Sequence, residues 1–334
     1  MDITTLIPAY KSKYLISLLQ SIRNQILKPK KIYISDDSPN RDFINMINNE
    51  PLKSIISDFN ITTLQGPRLG AYNNIRFLMH IYNNETEYFH ILNDDDCIYP
   101  NFYEYHIDIH KKTNAKAVVS RRWTSDEFGV PLRDLPVPLT INSSPDRVLM
   151  IDSYNLFQNT AALSMNWLGE FSNATYKASM SEELDNPSIN GVCYSGLEDL
   201  GSFLRSSLHS PIAYINEHLG YFRLSNDHHS AQTMGFPMKW AFLAYFGLAI
   251  SGNRIGKLTN DQCRTVLNNI YPIFIHHYGL EADLTDISNA LSKLINNSEE
   301  AKNEFLTLWH DYCQWTNRPT IEELISSSNK FLNL

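Results

Sequence analysis

The sequence lacks several patterns that define large protein classes. Its four cysteines are far apart and form no Cys-x-x-Cys pair, which excludes a zinc knuckle and a disulfide framework and favours a reducing cytoplasm. Lysine and arginine number 28 against 36 aspartates and glutamates, so the chain lacks the basic surface of a general nucleic-acid binder. No Gly-x-Gly-x-x-Gly follows the first predicted strand, which disfavours a dehydrogenase or a nucleotidyltransferase.

Long apolar runs are also absent. The N-terminus begins with a short apolar strand and has neither the basic region nor the long apolar region of a signal peptide. The longest apolar stretch, residues 240–250, is shorter than the roughly 20 residues that cross a bilayer. A buried helix is the favoured interpretation of this stretch, and contact with a membrane surface is the alternative. We therefore expect a cytoplasmic protein, with peripheral contact to the inner face of a membrane as a further option.

What the sequence does contain is an alternation of strands and helices followed by helices alone. Apolar periodicity predicts strands at 3–7, 31–35, 61–64, 88–92 and 115–120, and a helix at 71–82. The first helix is expected to bury one apolar face made of Leu15, Leu18, Leu19, Ile22 and Ile26. Residues 124–145 are rich in Pro, Asp and Ser and are expected to form a loop or lid. Alternating strands and helices predict an α/β fold with a mostly parallel sheet.

The last hundred residues have a different character. Four helical patterns, at 259–277, 285–295, 299–315 and 320–331, are separated by Asn, Gly and Pro. The predicted organisation is therefore an α/β domain over residues 1–230 and a helical C-terminal region over residues 231–334.

Three consecutive carboxylates follow the fourth predicted strand, and they are the most informative feature of the chain. Asp94, Asp95 and Asp96 would repel one another when ionised, so a hard divalent cation bridged to phosphate is one way to stabilise them. The other interpretation is a solvated acidic turn in which Asp96 or Asn93 caps the next helix. The triplet by itself leaves both interpretations open.

A second acidic pair, Asp36-Asp37, ends the second predicted strand. Because parallel strands present their carboxyl ends at one edge of a sheet, this pair and the aspartate triplet are expected to converge there. The alternative is that the pair caps the helix that begins near Arg41.

The order of these pieces over residues 3–230 resembles glycosyltransferase family 2, the inverting nucleotide-sugar transferases of the GT-A fold. Six features in register carry this resemblance: Pro8-Ala-Tyr10, Asp36-Asp37, Arg68-Leu-Gly-Ala-Tyr-Asn73, Asn93-Asp-Asp-Asp96, Glu198-Asp199 and Tyr221-Phe-Arg223. Asn93 stands where the family usually has the first aspartate of Asp-x-Asp. The resemblance implies a Rossmann-like, mostly parallel sheet flanked by helices.

The resemblance also implies the roles of the donor-binding residues. Pro8, Ala9, Tyr10 and Asp37 would line a uracil pocket, in which the carboxylate accepts the imide N–H and the ring stacks on the base. Arg68 would contact the diphosphate, although a surface arginine is the alternative. Asp94 would face the ribose hydroxyls, and Asp95 would hold Mn or Mg against the phosphates.

Asp199 matches the catalytic base of the family. It would take a proton from an acceptor hydroxyl as that oxygen displaces UDP in line, which inverts the anomeric centre. The alternative is that Glu198 and Asp199 only complement a helix dipole, which is worth about 0.3 to 1 kcal/mol.

The expected function is transfer of a sugar from a UDP-sugar to a hydroxyl of a glycan, a lipid-linked saccharide or a glycoprotein. The helical region over residues 231–334 is expected to contact this acceptor, a membrane surface or another subunit. The competing hypothesis is a transferase-like nucleotide-binding module without catalytic activity. Two histidines after the last core strand, His228 and His229, are candidates for a further metal or phosphate contact, and two solvated loop histidines are the alternative.

Overall fold

The computed structural model describes residues 2–224, 234–294, 298–314 and 317–332. Within these residues the strands are β1 Ile3–Ala9, β2 Lys31–Asp36, β3 Ile61–Gln65, β4 Tyr88–Ile91, β5 Cys97–Ile98, β6 Ala117–Ser125, β7 Pro131–Asp134, β8 Val148–Ile151, β9 Ala174–Lys177, β10 Ser188–Ile189, β11 Val192–Cys193 and β12 Ile212–Arg223.

Ten of these strands form one mixed, mostly parallel sheet. Its order is β3-β2-β1-β4-β9-β6-β12-β5, with β7 added to β6 and β8 added to β12. Strands β3, β2, β1 and β4 pair in parallel, as do β6 and β12, whereas β9 runs antiparallel between β4 and β6. Strands β10 and β11 form a separate hairpin. The predicted α/β class with a mostly parallel sheet is confirmed.

Helices cover both faces of the sheet. They are α1 Leu15–Arg23, α2 Asp42–Ile47, α3 Leu52–Ile56, α4 Ala71–Tyr82, α5 Phe102–Lys112, α6 Leu139–Asn142, α7 Ser153–Asn159, α8 Ser181–Asp185, α9 Glu198–His209, α10 Phe236–Arg254, α11 Asn260–Tyr278, α12 Thr285–Leu294, α13 Glu299–Tyr312 and α14 Ile321–Leu332. Helices α1, α2, α3 and α5 pack into one apolar core, and α4, α7, α9 and α10–α13 pack into another. Central strands such as β1 bury both faces, which explains why β1 contains apolar side chains and threonines but no charged residue.

The helical C-terminal region packs on the sheet domain. The second core runs without interruption from α4 and α9 to α10–α13, and α14 lies on the first part of the chain, where Ser328 Oγ donates to the Gln65 carbonyl at 2.6 Å. Within the apolar stretch at 240–250, Leu243, Phe246 and Ile250 are buried in this core, which supports the buried-helix interpretation. In the described part of the chain, no helix is both long and apolar enough to span a membrane.

Two local predictions from the sequence were wrong. Ile26 is 60% exposed because α1 ends at Arg23 and the Ile26 amide then donates to the Pro100 carbonyl at 2.9 Å. The stretch predicted as loop contains strand β7 and the short helix α6, and β6 extends to Ser125. Pairing of β6 with both β7 and β12 stabilises this extension, and β12 is distant in sequence.

A group of buried histidines lies beneath the sheet. His90 donates from Nε2 to the Ser172 carbonyl at 2.9 Å and contacts the Tyr103 hydroxyl through Nδ1 at 3.0 Å. His106 and His110 both contact the Thr175 hydroxyl. Burial lowers the pKa of His90 to about 3 and that of His110 to about 4, so these rings are neutral in the folded protein near pH 7.

Because the folded-state pKa of His90 is lowered, the unfolded chain binds more protons between pH 6.5 and pH 3. The part of the unfolding free energy that depends on neutral His90 is complete above pH 6.5. It decreases as the pH falls, by about 2 kcal/mol at pH 5. We expect His90→Gln to reduce the loss of unfolding free energy between pH 7 and pH 5, measured by urea denaturation. His80→Gln, at an exposed position of α4, is the control, and equal pH dependence in wild type and His90→Gln would contradict the prediction.

Candidate active site

The carboxyl ends of β1, β2, β3 and β4 meet at one edge of the sheet and enclose a cavity. Its volume is about 690 Å³, and its lining comprises Pro8, Ala9, Tyr10, Lys11, Asp37, Pro39, Arg68, Gly70, Ala71, Asn74, Ile75, Asn93, Asp94, Asp95 and Phe222. All seven residues that the sequence predicted to bind the donor are in this lining. The parallel order of the strands explains why residues far apart in sequence meet here.

The two aspartates at the end of β2 have different positions. Asp36 is fully buried and accepts from Ser38 N at 2.9 Å and from Ile44 N at 3.0 Å, so it stabilises the start of α2. Asp37 faces the cavity and accepts from Arg68 N at 2.9 Å. Burial raises the pKa of Asp37 to about 6, although the Arg68 amide opposes the shift. The helix-capping alternative therefore describes Asp36, and Asp37 is the residue that can reach a ligand.

Gly66 lies against the Asp37 carboxylate. A Cβ atom at this position would lie 2.0 Å from Asp37 Oδ1 and 3.0 Å from Ser35 Oγ. A glycine is thus required for the loop after β3 to approach the end of β2.

Arg68 lies at the Asp37 end of the cavity. Its Nη2 donates to the carbonyls of Ser38 and Pro39, both at 3.0 Å. Its backbone is left-handed, with φ 56°, which directs its amide to Asp37. The guanidinium thus joins the loops after β2 and β3 on the wall of the cavity.

Asp94 is held by the loop that follows β1. One of its oxygens, Oδ2, accepts from the amides of Tyr10 and Lys11, both at 2.5 Å. Burial and, to a smaller extent, the neighbouring Asp95 charge raise the pKa of Asp94 to about 7, against the opposing effect of the two amides. This carboxyl group therefore shares a buried region with a second carboxylate.

Asp95 is paired with a lysine that the sequence analysis did not single out. Lys11 Nζ lies 3.4 Å from Asp95 Oδ2, and both residues line the cavity. The position of Lys11 directly after the Pro8-Ala-Tyr10 turn was the available signal. Lys11 and Asp95 place a cation and a carboxylate side by side, which is an arrangement suited to a phosphate with a bound cation.

The carboxylates here suit a divalent cation that is also bound by substrate. Among the described residues, no group of three or more His, Cys, Asp or Glu side chains is arranged to hold a metal ion. Mg²⁺ in nucleotide sites is commonly bound by one or two carboxylates together with phosphate oxygens and water. Asp95 on the cavity wall fits that donor set, whereas a site made of protein ligands alone is not present in this part of the chain. His228 and His229 lie outside the described residues.

Asp96 does not cap the helix that follows. Helix α5 begins after Asn101 with no side-chain cap, whereas Asp96 is 1% exposed and accepts from Arg223 N at 3.2 Å. Burial raises the pKa of Asp96 well above its ordinary value, and the charges of Asp95 and Glu170 add to this shift. The alternative in which Asp96 caps the next helix does not hold, because strand β12 takes the carboxylate as a partner.

Arg223, at the end of β12, joins the aspartate turn to the surrounding loops. Its Nε donates to the Asp95 carbonyl at 2.9 Å, and Nη1 donates to the Glu127 carbonyl. The guanidinium lies over the Tyr14 ring at 4.2 Å and the Tyr221 ring at 5.3 Å. The side chain is buried and ordered by these contacts, so it holds the backbone of Asp95 in place.

Asp199 lies in the first turn of α9, outside the lining of this cavity. Its Oδ1 accepts from Phe171 N at 3.0 Å. Burial raises the pKa of Asp199 well above its ordinary value, and the charges of Glu170 and Glu198 raise it further, with a smaller effect from Asp96. Ser172, which follows Phe171, accepts through its hydroxyl from the Asn93 amide at 3.0 Å, so Asp199 lies near the turn that carries the aspartate triplet.

An ion pair lies between Asp199 and the cavity. Arg122 is buried and bonds both carboxylate oxygens of Glu170, and its guanidinium lies 4.6 Å from the ring of Phe222. Phe222 lines the cavity and Glu170 influences Asp199. Sequence reasoning missed this pair because its members are 48 residues apart and neither lies in a recognised motif.

The sequence profile of glycosyl transferase family 2 matches residues 4–170. The chain belongs to this family. A comparison with curated proteins found no sequence match.

Solved structures of TarS from S. aureus are similar in fold. TarS residues 1–349 in complex with UDP-GlcNAc has 12% sequence identity and a TM-score of 0.51, and the alignment covers 94% of this chain and 92% of that one. A longer TarS structure has 12% identity and a TM-score of 0.56, with 93% of this chain and 55% of that chain covered. These alignments extend over the C-terminal helices as well as the sheet.

We expect Arg223→Met to destabilise the fold by about 3 kcal/mol, because it leaves the buried Asp95 carbonyl without its charged donor. The measurement is urea denaturation followed by circular dichroism. Arg133→Met, at an exposed position of β7, is the matched control and should change stability by less than about 0.5 kcal/mol. Equal stability of the two variants would contradict the role of Arg223 in holding the Asp95 backbone in place.

Proposed function

We propose that this protein is a metal-dependent, inverting glycosyltransferase that moves a sugar from a UDP-sugar to an acceptor hydroxyl. The observation that carries the proposal is the single cavity that brings together Tyr10, Asp37, Asp94 and Asp95, with Asp199 beside it. Family membership gives the reaction class, and TarS, which shares the fold, has been solved with UDP-GlcNAc and with UDP. The acceptor is proposed to be a glycan, a lipid-linked saccharide or a glycoprotein.

The Asp37 end of the cavity is the proposed site of the uracil base. Tyr10 is 59% exposed there, so its ring is free to stack on a flat ligand. Asp37 can accept the imide N–H when it is ionised, and its raised pKa of about 6 leaves it ionised near pH 7. The Arg68 amide keeps this carboxylate oriented.

The Asp94 and Asp95 end is the proposed site of the ribose and diphosphate. Asp94 would accept from ribose hydroxyls, and Asp95 would hold Mn or Mg, with Lys11 available to the phosphate oxygens. A bound divalent cation would offset the negative charge that develops on the diphosphate as UDP leaves. Arg223 keeps the Asp95 backbone in place for this contact.

Asp199 is the proposed general base. Its Oδ1 is held by the Phe171 amide, so Oδ2 is the oxygen proposed to take the proton from the acceptor hydroxyl. A raised carboxyl pKa makes Asp199 a stronger base than a solvated aspartate. The proton moves to Asp199 as the acceptor oxygen attacks the anomeric carbon and the bond to the UDP oxygen breaks.

The first test separates binding from catalysis. With Mn present, we expect UDP to raise the melting temperature of the wild type and to have no such effect on Asp95→Ala, because this variant lacks the proposed metal ligand. Asp199→Asn should bind UDP like the wild type but lose at least about a hundredfold in hydrolysis of UDP-sugars, since general-base catalysis contributes about 10² to 10⁴ in rate. The hydrolysis panel includes UDP-GlcNAc, UDP-glucose and UDP-galactose.

Asp58→Asn, at an exposed carboxylate remote from the cavity, is the control for both readouts. Metal-independent UDP binding that survives in Asp95→Ala would refute the metal role. UDP binding together with no turnover of any UDP-sugar or acceptor would favour the binding module over the enzyme. Binding of NAD but not of UDP would refute the proposed donor class.

Gly66→Ala tests the proposed uracil site through a backbone position next to Asp37. The added methyl would overlap Asp37 Oδ1, so we expect the carboxylate to move and the Kd for UDP to rise at least about tenfold, a loss of about 1.4 kcal/mol. Isothermal titration calorimetry with UDP measures the effect, and thermal unfolding without UDP monitors the fold. Unchanged UDP affinity in a folded variant would show that Asp37 does not contact the nucleotide.

A further inference from the structure

The segment that leads into Asp199 is held by the C-terminal helices. We define residues 193–199, from the end of β11 to the first turn of α9, as the base segment. Cys193 begins this segment, and its backbone lies between helices α10 and α13. Contacts from both helices describe this junction.

Helix α13 binds both backbone groups of Cys193. Trp309 Nε1 donates to the Cys193 carbonyl at 3.0 Å, and the Cys193 amide donates to His310 Nε2 at 3.2 Å. Two adjacent side chains of one helix thus replace the partner strand that an edge strand would otherwise need. Cys313, just beyond the same helix, lies with its Sγ 3.7 Å from that of Cys193.

Helix α10 packs directly against the same backbone. A Cβ atom on Gly247 would lie 3.3 Å from the Cys193 carbonyl oxygen and 3.2 Å from Val192. A Cβ atom on Gly196 would lie 2.7 Å from the Cβ of Trp240. Glycines on both sides therefore let the base segment and α10 approach more closely than larger residues would allow.

Hydrogen bonds within the base segment connect Cys193 to the start of α9. Cys193 Sγ contacts the hydroxyl of Ser195 at 3.0 Å and accepts from the Ser195 amide at 3.3 Å. The Gly196 amide donates to Glu198 Oε1 at 3.0 Å. A short chain of local hydrogen bonds thus connects the residue that α13 holds with the turn that carries Asp199.

We propose that the C-terminal helices position the catalytic base, with Trp309 and His310 as the positioning residues that act on Asp199 through Cys193. This inference rests on the proposed function, in which Asp199 is the base. The donor cavity is built from the ends of β1 to β4 and does not include any residue of α10 or α13. Loss of the α13 contacts is therefore expected to affect proton transfer and to leave UDP binding unchanged.

The test compares His310→Leu, which removes the acceptor of the Cys193 amide, with His310→Gln, whose side-chain oxygen can accept it. Trp309→Phe removes the indole donor and keeps an aromatic ring. Tyr312→Phe is the matched control, because Tyr312 lies on the same helix and its hydroxyl donates to Asp283 at 3.2 Å, away from the base segment. Each variant is measured for the Kd of UDP with Mn by calorimetry and for kcat of UDP-sugar hydrolysis.

We expect kcat to fall about tenfold in His310→Leu and Trp309→Phe, because small displacements of a catalytic group have effects of this size. The Kd for UDP should change by less than about twofold, a free-energy change of about 0.4 kcal/mol. His310→Gln should recover most of the kcat, and Tyr312→Phe should behave like the wild type. Unchanged kcat in both His310→Leu and Trp309→Phe, or a parallel loss of UDP affinity, would overturn the proposal.

Hydrogen exchange gives a readout that does not depend on turnover. We expect the amides of residues 193–199 to exchange at least about tenfold faster in His310→Leu than in the wild type, with no change around Asp37 and Asp94. Equal exchange would overturn the positioning role. Asp199→Asn separates the two claims: if it retains full kcat, the proposed function fails, whereas if it loses kcat and His310→Leu does not, only the positioning inference fails.

Discussion

Repulsion among carboxylates at one edge of the sheet is the constraint on which the rest of this structure depends. Asp37, Asp94, Asp95 and Asp96 are all buried at the ends of β2 and β4. Ionised carboxylates in such a place need donors or cations to remain stable. Three of the four accept from backbone amides, namely those of Arg68, of Tyr10 and Lys11, and of Arg223. Backbone amides therefore stabilise most of these carboxylates, and Lys11 is the side-chain cation beside Asp95.

This dependence on the backbone explains how distant parts of the chain serve one site. The amide of Arg68 can reach Asp37 because the loop after β3 has a left-handed residue and a glycine at its closest approach. The amide of Arg223 can reach Asp96 because β12 crosses the sheet beside β6 and β5. Helices α10 and α13 fix the start of the segment that leads to Asp199. The C-terminal helices and the sheet share one apolar core, so the two predicted regions cooperate at the site.

Particular elements show where prediction from sequence succeeds. Helix α4 has the predicted bounds, Ala71–Tyr82, because its apolar spacing is regular and because Gly70 and Asn83, which border it, have positive φ values of 95° and 43°. The seven residues predicted to bind the donor line one cavity because each lies at the end of a strand or in the loop that follows it. Ile26 and strand β7 could not be predicted, because a contact with Pro100 and pairing with β6 decide them. The same is true of the Arg122–Glu170 pair, which only the fold brings together.

The sequence by itself determined the order of the first four strands, the helices α1, α4 and α11–α14, the edge at which the acidic residues gather, and the family. Local periodicity and the geometry of parallel strands are sufficient for these, since each depends on neighbouring residues or on chain order. The tertiary structure alone decided which aspartate does what: Asp36 stabilises α2, Asp96 binds β12, and Asp37, Asp94 and Asp95 face the cavity. The physical reason is that a carboxylate takes its role from the donors around it. Those donors are mostly backbone amides, and the positions of backbone amides depend on the fold rather than on residue type.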